Sequence, residues 1–159
     1  MLEIINADLN NPQHGAAFIA LLNDYARDPM GGGEELPDYA KANLVSEVRK
    51  RSNIRVVLAF VDGQPAGFST CIDGFSTFAC KPLLNIHDIA VNQQFRGLGI
   101  AKKLLSHIED MARESGCCKI TLEVLQGNVP AASLYKSLGF ATYELDPAMG
   151  GASLMQKKL

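Results

Sequence analysis

Apolar and polar positions along the chain follow two different periods, and each change of period marks a new element. Residues 2–9 read as a first strand. Phe18, Leu21, Leu22 and Tyr25 then recur at helical spacing and form one apolar face. Asn11 is placed to cap that helix, with Pro12 in its first position and Asp28-Pro29 ending it. Gly31-Gly32-Gly33 with Glu34 and Glu35 reads as a loop. Asp38 is expected to cap a second helix running to about Arg51, with Leu44, Val45 and Val48 inward. Ile54 to Val61 is almost continuously apolar and β-branched, a strand followed by the hairpin turn Asp62-Gly63. A second strand is predicted from Ala66 to about Thr77, broken at Asp73-Gly74, and a third from Leu84 to Val91. These three read as an antiparallel meander. The period then lengthens. Ala101, Leu104, Leu105, Ile108, Met111 and Ala112 share one face of a helix over 97–114, terminated by Gly116. Ile120, Leu122 and Val124 alternate with Thr121 and Glu123 as a strand. A helix over 128–138 ends at Gly139. Strands over 140–145 and 152–159 are predicted around a loop at 146–151. Strand, helix and strand from 84 to 125 make one βαβ unit. The predicted class is α/β, one domain over 1–159, with a mixed sheet of about six to seven strands and helices on both faces.

Composition narrows the function. A chain of 159 residues can bury a core of its own. At 47% apolar and 20% charged it is not a disordered segment. Fifteen basic against 17 acidic residues leave a formal charge of −2. The longest basic runs are Arg49-Lys50-Arg51 and Lys157-Lys158, so nucleic acid is not expected as a partner. No apolar run is long enough for a membrane span, so no membrane association is expected, and the first residues lack a secretory pattern. Cys117 and Cys118 are adjacent, and Cys71 and Cys80 complete the set. That spacing does not suit a disulfide framework, and a reducing, cytoplasmic compartment is expected. His14, His87 and His107 are scattered, and no metal site is predicted. Gly-x-Ser-x-Gly is absent, and Cys71 reads as core filler rather than a nucleophile.

The candidate chemistry begins after the strand ending at Val91. Arg96-Gly97-Leu98-Gly99-Ile100-Ala101 opens an amphipathic helix. The first turn of a helix has unpaired N–H groups and the positive end of the dipole, and small residues leave those groups uncovered. Arg96 adds a fork suited to phosphate oxygens. A phosphate or pyrophosphate is the expected ligand part, although a tight turn and an ordinary helix start would share this pattern. The nucleotide P-loop pattern is absent. A dinucleotide motif would need glycine where Lys102 stands.

The run from Val91 to Ala101 resembles the acetyl-CoA signature of the GNAT superfamily of N-acetyltransferases, Arg/Gln-x-x-Gly-x-Gly/Ala, at Arg96, Gly99 and Ala101. Residues 128–140 are similar to a second signature, Asn-x-x-Ala-x-x-Leu-Tyr-x-x-x-Gly-Phe, at Asn128, Ala131, Leu134, Tyr135, Gly139 and Phe140. The element order over nearly the whole chain also fits. The resemblance implies an acyltransferase with acetyl-CoA as cofactor, bound where the strands at 84–91 and 119–125 splay apart. It implies pyrophosphate on the amides of Arg96, Gly97, Leu98, Gly99, Ile100 and Ala101, and a pantetheine arm paired with Ile89, Ala90 and Val91. Asn128 and Ala131 would complete the cofactor contacts. An amide near Ile89 to Val91 would hold the oxyanion. A bulge is implied in the strand, with Asn92-Gln93 as a candidate place. Tyr135 would serve the departing thiol, whose pKa near 8.5 makes it a better leaving group when a phenol donates to it. Taken alone, Tyr135 could equally pack its ring at the core edge.

An alkylammonium with pKa about 10.4 is about one part in 10³ free amine at pH 7, so a base or selective binding of the neutral form is needed. The strand at 84–91 is similar to the diamine and polyamine acetyltransferase subgroup, in which Glu-Asp precedes a hydrophobic pair and Val. Asp88 matches that Asp, and His87 stands in place of the Glu. His87 and Asp88 are equal candidates for the base, with Glu123 behind them and a route through ordered water open. Strict alternation would put His87 and Asp88 on opposite faces unless a bulge intervenes. Tyr25, Glu34, Glu35, Phe75 and Asp88 are candidate acceptor contacts. Asp24, Asp28, Asp38 and Tyr39 lie nearby, in what could also be a solvated acidic loop. The expected reaction is direct acetyl transfer to a primary amine of a small cationic molecule. A non-catalytic acyl-CoA sensor or interaction protein, and a protein lysine or N-terminal acetyltransferase, are the alternatives. Many members of the superfamily dimerise, and a homodimer is left open.

Overall fold

The structure is a computed structural model that describes residues 1–159. It divides into two compact units, Met1–Glu123 and Val124–Leu159. The first holds a mixed five-stranded sheet in the order of the chain, β1 (Leu2–Asn6), β2 (Ile54–Val61), β3 (Gln64–Ser76), β4 (Lys81–Val91) and β5 (Ile120–Leu122). The first four strands pair antiparallel, and β5 runs parallel to β4. Three helices belong to this unit, α1 (Pro12–Arg27), α2 (Asp38–Arg49) and α3 (Ile100–Glu114).

Local chemistry sets most boundaries. The Asn11 side chain accepts from the Gln13 amide at 2.9 Å, Pro12 follows it, and extended Asp28 stops α1. For α2 the expectation is corrected. Pro37 takes the cap position without a side-chain hydrogen bond, and Asp38 is the first helical residue, where its carboxylate meets the positive end of the dipole. The helix closes at Arg49, two residues before the expected end. β3 passes through Asp73-Gly74 unbroken. There glycine marks a close approach: a Cβ would lie 2.9 Å from Leu83 Cδ1 on the paired strand.

Residues paired across antiparallel strands share a face, so the register assigns each side chain to a layer. Val56, Leu58 and Phe68 face α1, where they bury with Ala17, Phe18 and Leu21, and Val48 of α2 joins them. The Phe18 and Phe68 rings lie 6.0 Å apart, tilted. Val57, Ala59 and Cys71 belong to the other face, with Leu84 and Ile86 of β4. α3 buries Ile100, Leu104, Leu105, Ile108, Met111 and Ala112. Each large apolar side chain so buried contributes about 1.5–3 kcal/mol. All four cysteines are free, and burial pushes the Cys71 thiol up to about 11. No helix is long and apolar enough to cross a membrane.

The second unit contains α4 (Val129–Ser137). The strands expected over 140–145 and 152–159 are not formed. A single bridge, Glu144 to Gly151, joins the two segments. Residues 141–159 are exposed throughout, so neither segment has a face to bury. An isolated two-stranded ribbon is marginal without such a face, and the sheet therefore has five strands rather than six or seven.

Candidate functional site

The central feature of β4 is a one-residue bulge. Cys71 pairs with Ile86 and Thr70 pairs with Asp88, which leaves His87 as the extra residue. The bulge implied for Asn92-Gln93 is therefore at His87. Asn92 instead caps a single 3-10 turn at Gln93–Phe95. An extra residue reverses alternation. Leu84 and Ile86 lie on the α3 face, whereas Asp88 and Ala90 lie on the α1 face with Thr70 and Phe68. Strict alternation would have carried Asp88 onto the side of Leu84 and Ile86. His87 itself is exposed at the bulge.

On the α1 face Asp88 meets a partly apolar setting. Burial raises its carboxyl above the ordinary carboxylate range, against the opposing electrostatic influence of His87. Tyr25, from the last turn of α1, is pushed up by burial and then by the negative charges of Asp88 and Asp28. Its ring meets Phe68 edge-on with centroids 6.3 Å apart. Tyr25, Phe68 and Ala90 line a cavity of about 410 Å³, completed by Asp24, Asp28 and the loop after β4. Thr70 is 7% exposed, and its Oγ1 makes no hydrogen bond of ordinary geometry in the chain. Such a group costs about 1–3 kcal/mol. Thr70 and Phe68 were not among the candidates from sequence. Their spacing of two marks a shared strand face, but only the bulge shows that Asp88 shares it.

Beyond β4 the chain presents bare amides. Gly97 and Gly99 take φ of 84° and 74°, a left-handed geometry that side chains resist. Gly99 opens α3 without a side-chain cap, and Ile100 is buried as its anchor. The amides of Gly97 to Lys102 donate to no acceptor in the chain, and the first helical bond back to this turn is Lys103 to the Gly99 carbonyl. Leu98 is exposed beside them. Parallel pairing of β4 with β5 ends at Ile86 and Leu122, so the β4 edge from His87 through Ile89, Ala90 and Val91 has no strand beside it on that side. β5 itself ends at Leu122, short of the expected strand to 125, and the splay that the resemblance implies falls where this pairing stops. Arg96 is engaged within the protein: its guanidinium donates to the Val91 carbonyl at 3.2 Å and to Asp28 at 2.8 Å. That hydrogen bond, with the Met30 amide, holds the Asp28 carboxyl below its usual range. Asn92 donates to Asp24 at 2.9 Å, a second tie between α1 and this loop.

The other candidates separate. Glu35 bonds Arg27 and Lys41, which hold its carboxyl down to about 2. It is already committed to its own cations. Asp38 lies 3.9 Å from Lys41. Most of these loop acids are thus engaged by the chain's own cations, and Glu34 remains exposed beside them. Phe75 is exposed near the end of β3. Glu123 is exposed just past the end of β5. In the second unit, Asn128 caps α4 through the Ala131 amide at 3.4 Å. Tyr135 is buried there, edge-on to Phe140 at 5.9 Å. Another cavity, about 820 Å³, runs past the last turns of α2 and α3. Its Lys50 and Arg51 are paired with Glu47, and its Arg55 with Asp73. It has no buried acid or base without a partner.

Comparison with known proteins bears on the family and the fold. A model described as the acetyltransferase (GNAT) family matches residues 18–140. Streptothricin acetyltransferase of Streptomyces lavendulae is 41% identical over 88 residues, covering 55% of this chain and 44% of that protein, so the chain spans less than half of its length. Thialysine N-epsilon-acetyltransferase of Caenorhabditis elegans is 26% identical over 82% of this chain and 92% of its own. Among solved structures, an aminoglycoside acetyltransferase from an uncultured soil sample superposes with a TM-score of 0.80 at 20% identity, covering 99% of this chain and 96% of that one. At that identity the superposition speaks for the fold. The bulged strand, the splay and the uncapped glycine turn stand within the stretch that the family model covers, and the chain belongs to the acetyltransferase (GNAT) family.

Proposed function

We propose that the protein is an acetyl-CoA-dependent N-acetyltransferase that acetylates a primary amine of a small cationic molecule directly. Bound acetyl-CoA would supply an acetyl group activated as a thioester. The residues present fit such a ligand. The uncapped amides from Gly97 to Lys102 offer donors to its phosphates, with no Cβ at Gly97 or Gly99 in the way. The unpaired β4 edge offers backbone partners to an extended arm, in the manner of an added strand.

Asp88 is the observation that carries the reading. It is a half-buried acid with a raised pKa and no Lys or Arg ion pair, on the face that Tyr25 and Phe68 share. A base is most effective when its pKa approaches the working pH, and burial moves Asp88 in that direction. Its carboxylate takes the proton from the acceptor ammonium and frees the lone pair that forms the new C–N bond. Exposed His87 and Glu123 have no comparable setting. Tyr135, by the resemblance, returns a proton to the departing sulfur. The acceptor class is supported by Asp88 with the ring of Tyr25, an acid and an aromatic face that suit a cation. Relatives named for thialysine and streptothricin point the same way.

Thiol release from acetyl-CoA across a panel of diamines, amino acids and aminoglycosides tests this. At least one small amine is expected to raise release well above hydrolysis. Asp88→Asn should lower that rate by about 10²–10⁴-fold, the usual worth of a positioned base. Full activity of Asp88→Asn would remove Asp88 from the mechanism. Silence across the whole panel would favour an acyl-CoA sensor. Tyr135→Phe is expected to slow turnover with an unchanged Kd for CoA, measured by calorimetric titration.

A further inference from the structure

Two hydroxyls on β3 reach Asp88 from adjacent positions. Ser69 Oγ donates to the Asp88 carbonyl at 2.8 Å and also lies 3.5 Å from Cys71 Sγ, so it is committed to the backbone and the core. Thr70 pairs directly with Asp88 in the register, on the same face. Its Oγ1 is buried without a hydrogen bond of ordinary geometry, in a chain where every other buried side-chain nitrogen or oxygen has a partner. A valine would fill the same space with no polar atom to satisfy.

We infer that Thr70 is a positioning residue for Asp88: its hydroxyl turns to donate to the carboxylate when Asp88 ionises, and so holds the base in place on the α1 face. The role of base for Asp88 rests on the function proposed above; the hydroxyl–carboxylate bond does not. Loss of the proton from Asp88 removes its O–H donor and leaves two charged acceptor oxygens, which draw an unused buried hydroxyl more strongly than the neutral acid does. The other titratable groups that feel Asp88 are His87 on its own strand, Tyr25 from α1 and, through the sheet on its opposite face, Cys71 of β3. None occupies the cross-strand position that Thr70 holds.

The experiment is a carboxyl-carbon NMR titration of Asp88 in the full chain, in wild type, Thr70→Ser and Thr70→Val, with Thr70→Ala standing in if the valine variant does not fold. Removing the hydroxyl is expected to lower the Asp88 ionisation constant about tenfold, whereas serine should keep it near wild type. An unchanged titration in the valine or alanine variant overturns the inference, and so does a serine variant that shifts as far as valine. The titration needs no substrate, so it is separable from the proposed reaction. An active Asp88→Asn would discard the base while leaving the Thr70 bond to be judged on its own shift.

Discussion

At the scale of single residues, Asp88 is where folding and chemistry pull apart. Burial favours its protonated form, so its folded pKa lies above the unfolded value near 3.8. The stabilising contribution of the bound proton is complete below the unfolded value and is lost as pH rises through the folded one. Once ionised, Asp88 is a carboxylate in a setting that disfavours its charge. Asp88→Asn keeps the shape and removes the charge. Calorimetric melting should show a higher Tm than wild type at pH 7, with the difference shrinking as pH falls toward 3. A variant that melts lower at pH 7 would mean that the ionised carboxylate is a net stabiliser. Gain of stability with loss of turnover is the trade expected of a group placed for reaction.

At the scale of elements, β4 and the end of α1 act as a pair. The bulge at His87 lets one strand serve two layers, with Leu84 and Ile86 under α3 and Asp88 and Ala90 under α1. Two side-chain ties, Asn92 to Asp24 and Arg96 to Asp28, then join the loop after β4 to α1. Arg96 is a residue that phosphates would recruit, and here Asp28 competes for it. Replacing Asp28 with Asn should free the guanidinium and lower the KM for acetyl-CoA by up to about fivefold, since exposed pairs are worth ~0.2–1 kcal/mol. The gain should fade at high salt. A KM that rises instead would mean that Asp28 holds Arg96 in its binding position.

At the scale of the whole molecule, protection is uneven between the two units. In Met1–Glu123 the middle strands β2 and β3 have partners on both sides and helices packed on them. From 141 to 159 the chain is exposed, with few backbone bonds, among them Ala152 to Tyr143 and Met149 to Asp146. Hydrogen exchange read by mass spectrometry should find the amides of 152–159 exchanging earliest and those of β2 and β3 last. Strong protection of 152–159 would reveal a pairing partner, such as a second copy, that the single chain does not provide.

What the amino-acid order determined by itself was local. Asn11 with Pro12 starts α1, Asp62-Gly63 turns the hairpin, the apolar period from Leu104 to Ala112 makes α3, and Gly97 with Gly99 bares its first turn. Each depends on neighbours a few positions away, whose backbone preferences and spacing are written directly in the chain. The side on which Asp88 lies was decided only in three dimensions. A bulge is defined by a mismatch between two strands, and residues 84–91 read alike in either register until β3 supplies the partner. The same holds for Arg96 on Asp28, 68 positions apart, and for the orphaned Thr70 hydroxyl. It also explains the strands that did not form over 140–145 and 152–159. Alternation proposes a strand, but a sheet keeps it only when a neighbour pairs its edge and a layer buries its face.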